Sequence, residues 1–183
     1  LRRCPAGLRA SFARDAQGPL CWPAIPARFR QTGFESRSRV YAGAMRCILV
    51  SHTHWDREWY KTFQSFRARL VDTVDRVLEL VEADPDFRFQ LDGQAIVLED
   101  YLAIRPEKRE TLAAAMAAGR VAAGPWYVQP DSLIPTGETH VRNLLEGRRV
   151  TETLGPCSRI AYTPDSFGHP AQFPQLFAKA AAE

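Results

Sequence analysis

The sequence predicts an α/β fold in which parallel strands alternate with helices. Three observations carry this reading. From Met45 onward, short apolar runs alternate with segments of helical period. Pro and Gly fall at the edges of those segments, where helices start and stop. Each expected strand also runs into a polar cluster, "SHTHWD", "LDGQ", "VQPDS" and "TPDSFGH" in turn. Such an order implies a parallel sheet covered by helices, open or closed into a barrel.

The elements follow in order. Arg46–Ser51 is a short apolar strand, and Phe66, Leu70, Val74, Val77, Leu78 and Val81 then recur at helical spacing until Pro85. "FRFQLDG" reads as a second strand. Helical pieces follow at Ile96–Leu102 and Pro106–Ala118, with Pro106 suited to a first helical position and Gly119 to a C-terminal cap. "RVAAGPWYVQ" is the third strand, Glu138–Leu145 a short helix, and "RIAYTPDS" the fourth strand.

Composition bounds the function. The 183 residues are 45% hydrophobic and 25% charged, enough for one domain with a proper core. The net charge of +3 is uneven: residues 1–44 hold eight arginines against Asp15 and Glu35, a local +6 that leaves −3 on residues 45–183. A mildly acidic remainder removes the electrostatic case for a nucleic-acid partner. No segment has signal-peptide or transmembrane character, so no membrane partner is expected and the cytoplasm is the default location. Cys4 and Cys21 lie in the basic leader. Cys47 and Cys157 have no CxxC spacing and read as reduced packing residues. Residues 1–44 combine scattered Pro and Gly with no sustained period, and read as a disordered or non-native leader ahead of a natural start at Met45. A transit-type extension is the competing reading.

In a parallel α/β fold the carboxyl ends of the strands share one face, which carries the active site. Four segments thus deliver acids and histidines to one cleft. His54 and Asp56, two apart in an extended backbone, project to one side and can grip one ion, zinc or a neighbouring divalent transition metal. By themselves they read first as a hydrogen-bonded pair that shapes the loop. His52 reads as a satisfied core histidine. Trp55 and Trp59 suit either a core or a flat platform for the face of a sugar. Asp165 reads as a turn acid, or as a nucleophile and metal ligand in one.

Taken together, "HTHWDREWY", "LDGQAIVLEDYL", "GPWYVQPDSLIPTGE" and "PDSFGHPAQFPQL" resemble the amino-terminal catalytic part of the α-mannosidases of glycoside hydrolase family 38, in particular the bacterial branch that includes mannosylglycerate hydrolases. The resemblance covers residues 45–179. It implies a partial (β/α) barrel of seven strands, of which residues 45–183 form the amino-terminal part. It also implies that His54, Asp56 and Asp165 ligate zinc, that Trp59 packs against the bound sugar, and that Asp165 is the nucleophile of a retaining hydrolysis of α-mannosidic bonds. Asp92, Asp131 and His169 lie in matching motifs and are assigned substrate contacts or supporting roles. The family's fourth zinc ligand and its acid/base carboxyl belong to later segments, so this chain is expected to be a fragment that is inactive alone, and its parent to act on a mannoside, with homo-oligomerisation left open. A metal-dependent carbohydrate deacetylase on a related barrel, with the metal-bound water as nucleophile, and a non-catalytic carbohydrate-binding module are the alternatives.

Overall fold

The computed structural model describes residues 49–181. Readings that concern the leader, the start at Met45, Cys4, Cys21, Cys47 and most of the first strand lie outside the described residues. Helix α1 spans Phe63–Ala83, and Phe66, Leu70, Val74, Val77 and Leu78 form its buried stripe. It stops where Asp84, ahead of Pro85, takes an extended backbone (φ −128°, ψ 111°), the conformation that a following proline imposes. Strand β1 is Phe89–Gln90, and helix α2 is Ile96–Leu102. A 3-10 turn at Pro106–Lys108 leads into α3, Arg109–Ala117.

Gly119 ends α3 with φ 65°. The Arg120 amide bonds back to the Ala115 carbonyl and that of Gly119 to Met116, each at 2.9 Å, which satisfies carbonyls the helix end would otherwise leave open. Strand β2 is Val121–Ala122. Helix α4, Gly137–Glu152, begins at Thr136, whose hydroxyl accepts from the Thr139 amide. It runs well past the expected end at Leu145. Helix α5, Phe173–Ala181, has no counterpart among the expected elements.

Strands β1 and β2 pair in parallel, Phe89 opposite Val121 and Gln90 opposite Ala122. Single parallel bridges flank them, His52 with Gln90 and Gln94 with Trp126. Beyond β2, the Ser158 amide reaches the Ala123 carbonyl at 2.9 Å. The four segments therefore lie side by side in sequence order. Only two of the four expected strands are strands among the described residues. "RIAYTPDS" is not: Pro164 lacks an amide donor, Ile160 is exposed, and the backbone bond to the β2 segment is made by Ser158, which precedes this run. Cys157, expected in a strand-like run, lies in irregular chain and is half-buried.

The main core packs α1, α2 and α3 over the sheet, from Leu70, Val74 and Leu78 to Leu98, Leu112, Met116 and Val121. A second cluster gathers Leu144 and Phe173 on the buried ring of Trp126, so α5 closes over the β2 end of the sheet. Among the described residues no helix is long and apolar enough to cross a membrane.

One buried polar tie in the main core is testable. Tyr101 is fully buried, and its hydroxyl donates to Asp75 Oδ1 at 2.7 Å, while Arg105 holds the other Asp75 oxygen at 3.2 Å. Burial, followed by the bond to Asp75, holds the phenol's pKa well above its usual range. The unfolded chain loses this proton near the ordinary value of about 10, before the folded chain does. The contribution is therefore complete below about pH 10 and declines as pH rises from there through the folded value. Tyr101→Phe is expected to cost about 1–2 kcal/mol at neutral pH and to flatten the alkaline fall in denaturant midpoint. An equally steep alkaline fall in the variant would refute the assignment.

Candidate functional site

The polar clusters do meet at the carboxyl ends of the four segments. Thr53 leaves the first segment bonded to the Gln90 carbonyl at 3.2 Å, and its hydroxyl accepts from the Asp92 amide at 3.2 Å. The following turn is pinned from the second segment: the Trp55 amide donates to Asp92 Oδ2 at 2.7 Å and the Trp55 carbonyl accepts from the Gln94 side chain at 2.5 Å. Arg57 then forks onto Asp100 of α2, with Nε and Nη2 at 2.6 and 2.9 Å from the two carboxylate oxygens. Ties at three residues of one five-residue stretch, Thr53, Trp55 and Arg57, hold His54 and Asp56 in place.

His54 Nε2 lies 3.5 Å from Asp56 Oδ1 and 3.4 Å from Asp165 Oδ2. One ligand atom from each of the three residues falls within 4.8 Å of the others. Two donors bonded to one tetrahedral zinc at about 2.1 Å stand about 3.4 Å apart, so two of the three separations already match a shared ion. One imidazole nitrogen and two carboxylates also suit zinc chemically. The residues present fit a metal.

Asp165 arrives from the fourth segment. The Tyr162 carbonyl accepts from Trp126 Nε1 at 3.1 Å, and its hydroxyl bonds to His52 Nδ1 at 2.7 Å and donates to the Thr53 carbonyl at 3.2 Å. Neighbouring strands stand about 4.8 Å apart, so in a flat sheet the first and fourth segments would be about 14 Å apart. That a tyrosine side chain bridges them means that the carboxyl ends converge. Asp165 itself is more than half exposed, at 58%.

A small open pocket is lined by His54, Asp56, Gln129, Asp131, Asp165 and Phe167. Asp131 is exposed there, and its carboxylate accepts from the Leu133 amide at 3.4 Å in a local turn. His169 stands outside that lining. Its Nδ1 is 3.5 Å from Ser132 Oγ and its ring leans on Phe173. Trp59, 75% exposed, also lies outside the lining and meets Tyr60 edge-on. His52 is exposed and paired with Tyr162, which corrects the expectation of a core histidine.

Asp92 differs from the others, because its side chain is completely buried. Burial raises its carboxyl pKa, against the opposing effect of bonds from Trp55, Gly93 and Gln94. Gln94, Gln129, Arg57 and Asp100 were not singled out from the sequence. Gln94 joins three segments, since its carbonyl oxygen also accepts from the Gln129 amide at 3.1 Å. A glutamine directly after a strand carries no spacing signal that would reveal this.

Residues 44–183 match the profile described as the glycosyl hydrolases family 38 N-terminal domain. A protein of Halalkalibacterium halodurans provisionally named mannosylglycerate hydrolase is 48% identical over 72% of this chain and 15% of its own length. Alpha-mannosidase G of Dictyostelium discoideum is 29% identical over 81% of this chain and 13% of its own. The crystal structure of an α-mannosidase from Enterococcus faecalis V583 superposes with a TM-score of 0.70 at 44% identity, covering 72% of this chain and 15% of that one. The chain thus spans about a seventh of the length of these proteins.

Proposed function

This chain belongs to glycosyl hydrolase family 38, whose N-terminal domain it matches over residues 44–183, and from that premise we propose that it supplies the metal-binding and nucleophilic part of a retaining α-mannosidase site. One observation carries the reading. His54 Nε2 and Asp165 Oδ2, 111 residues apart in sequence, meet at 3.4 Å over a pocket that Asp56 and Asp131 also line.

In this reading His54, Asp56 and Asp165 hold a zinc ion. When bound, zinc would engage sugar hydroxyls and fix the ring against the protein. Asp165 attacks the anomeric carbon as the glycosidic bond breaks, and forms an ester to the sugar. A second carboxyl group, which the family resemblance places in a later segment, gives its proton to the departing oxygen and then takes one from the water that cleaves the ester. Asp131, exposed at the pocket wall, is placed to accept from a sugar hydroxyl. Trp59 offers an uncovered indole as an apolar face for the ring. The four sequential parallel segments, converging at their carboxyl ends, are read as the first part of the family's seven-stranded barrel.

The metal part is tested on the 183-residue chain by competition of a chromogenic chelator for zinc. Stoichiometric binding is expected, weakened by at least about tenfold in His54→Ala and in Asp56→Ala, with circular dichroism retained. Equal affinity in both variants would dismiss these ligands.

A further inference from the structure

Asp92 touches more of the site than any other carboxylate, and it does so from inside the protein. Its Oδ1 accepts from the Gly93 amide at 2.6 Å and from Gln129 Nε2 at 3.4 Å. Its Oδ2 accepts from the Trp55 amide at 2.7 Å and from Gln94 Nε2 at 2.8 Å. These donors come from three segments of the sheet, so the carboxylate has little freedom to rotate. It also lies below the surface, out of reach of a sugar in the pocket. That argues against the substrate contact expected from its motif.

The same Oδ2 lies 3.7 Å from His54 Nδ1. The two nitrogens of His54 thus face different partners: Nδ1 faces Asp92, whereas Nε2 faces Asp56 and Asp165. A neutral imidazole carries one proton, and which nitrogen keeps it depends on the partner of the other. A buried carboxylate beside Nδ1 favours the proton there, which leaves the Nε2 lone pair directed at the metal position. The bond to the Trp55 amide fixes the backbone next to the same ring, so one side chain sets both where His54 sits and which nitrogen it offers.

We propose that Asp92 is a positioning residue for His54, holding the imidazole as the Nδ1–H tautomer with Nε2 presented to the metal; this rests on the reading of His54, Asp56 and Asp165 as ligands. A purely structural Asp92 would pin the turn through Trp55 and Gly93 and leave the tautomer indifferent. The two roles differ in what a spectrum of the ring shows.

The test uses the 183-residue chain labelled with nitrogen-15 in histidine and loaded with zinc. The ring signals of His54 are those lost in His54→Ala. They are expected to show a protonated Nδ1 and a metal-bound Nε2. Zinc on Nδ1, or a proton absent from it, would overturn the proposal. In parallel, Asp92→Asn keeps the size of the side chain and one acceptor, and is expected to weaken zinc binding by about 10–100-fold, the usual loss when a partner behind a metal-binding histidine is removed. Unchanged affinity in a folded Asp92→Asn would also overturn it. If that variant fails to fold, the ring spectrum of the unsubstituted chain decides alone. Zinc affinity unchanged in His54→Ala would instead remove the ligand assignment, and the proposal with it.

Discussion

Asp165→Asn, introduced into a protein that carries this chain within the full length of its relatives, is expected to lower aryl α-mannoside hydrolysis by about 10⁴- to 10⁶-fold, the range lost when a nucleophile or its close partner is removed. An amide of nearly the same shape cannot form the glycosyl ester, and it withdraws one negative charge from the ligand set beside His54. Stability should hardly change, because the side chain is mostly exposed and its ion pair is with His54, itself partly open to solvent. The fall should therefore appear in turnover with no shift in thermal midpoint, read as release of the aryl alcohol. A glycosyl adduct on Asp165, detected by mass in the parent and missing in the variant, gives the independent check. Activity within about tenfold of the parent, still abolished by a chelator, would place the nucleophile on metal-bound water, as in the deacetylase alternative.

Gly147→Ala is expected to destabilise the fold by about 3 kcal/mol or more. Gly147 lies within α4, where alanine would ordinarily improve a helix by about 1 kcal/mol. Here a methyl group would overlap the Pro125 carbonyl oxygen, the Trp126 carbonyl carbon and the Tyr127 nitrogen. Those backbone atoms cannot yield easily. The Trp126 amide is bonded to the Gly93 carbonyl at 3.0 Å, the Trp126 carbonyl accepts from Ala95 at 2.7 Å, and the Tyr127 amide is held by Asn143. Gly137→Ala, at the open start of the same helix, is the control and should be neutral or stabilising. A urea midpoint for Gly147→Ala at or above that of the control would show that α4 does not need this close approach.

The same glycine marks the boundary of what was legible in the sequence. Helices α1, α2 and α3 were readable because their apolar residues repeat at the helical period and because Pro85, Pro106 and Gly119 act locally on φ. Helix α4 continues past Leu145, the end read from the sequence, and nothing in the sequence marks Gly147 as a packing contact within a helix. The fourth strand was over-read, because pairing depends on a neighbour and not on the composition of the segment itself. In the site, the H-x-D spacing was visible but only suggestive. What joins it to Asp165 is the convergence of the sheet, which is a property of four segments at once. Asp92 showed only a polar residue after a strand, and its burial depends on how Trp55, Gln94 and Gln129 close around it.

The sequential order of the four segments bears on how the chain can assemble. His54 and Asp165 are far apart along the chain, yet no single long closure is needed to join them. Gln90 follows His52 by 38 residues, Ala122 follows Gln90 by 32, and Ser158 follows Ala123 by 35. In loop-entropy terms one closure over 111 residues costs only about 1 kcal/mol more than a closure over 35. The greater effect is on the search. Each segment finds its partner in the one synthesised just before it, so a growing chain meets every pairing in the order in which it is made. Asp165 is then delivered to His54 by the last of three short steps.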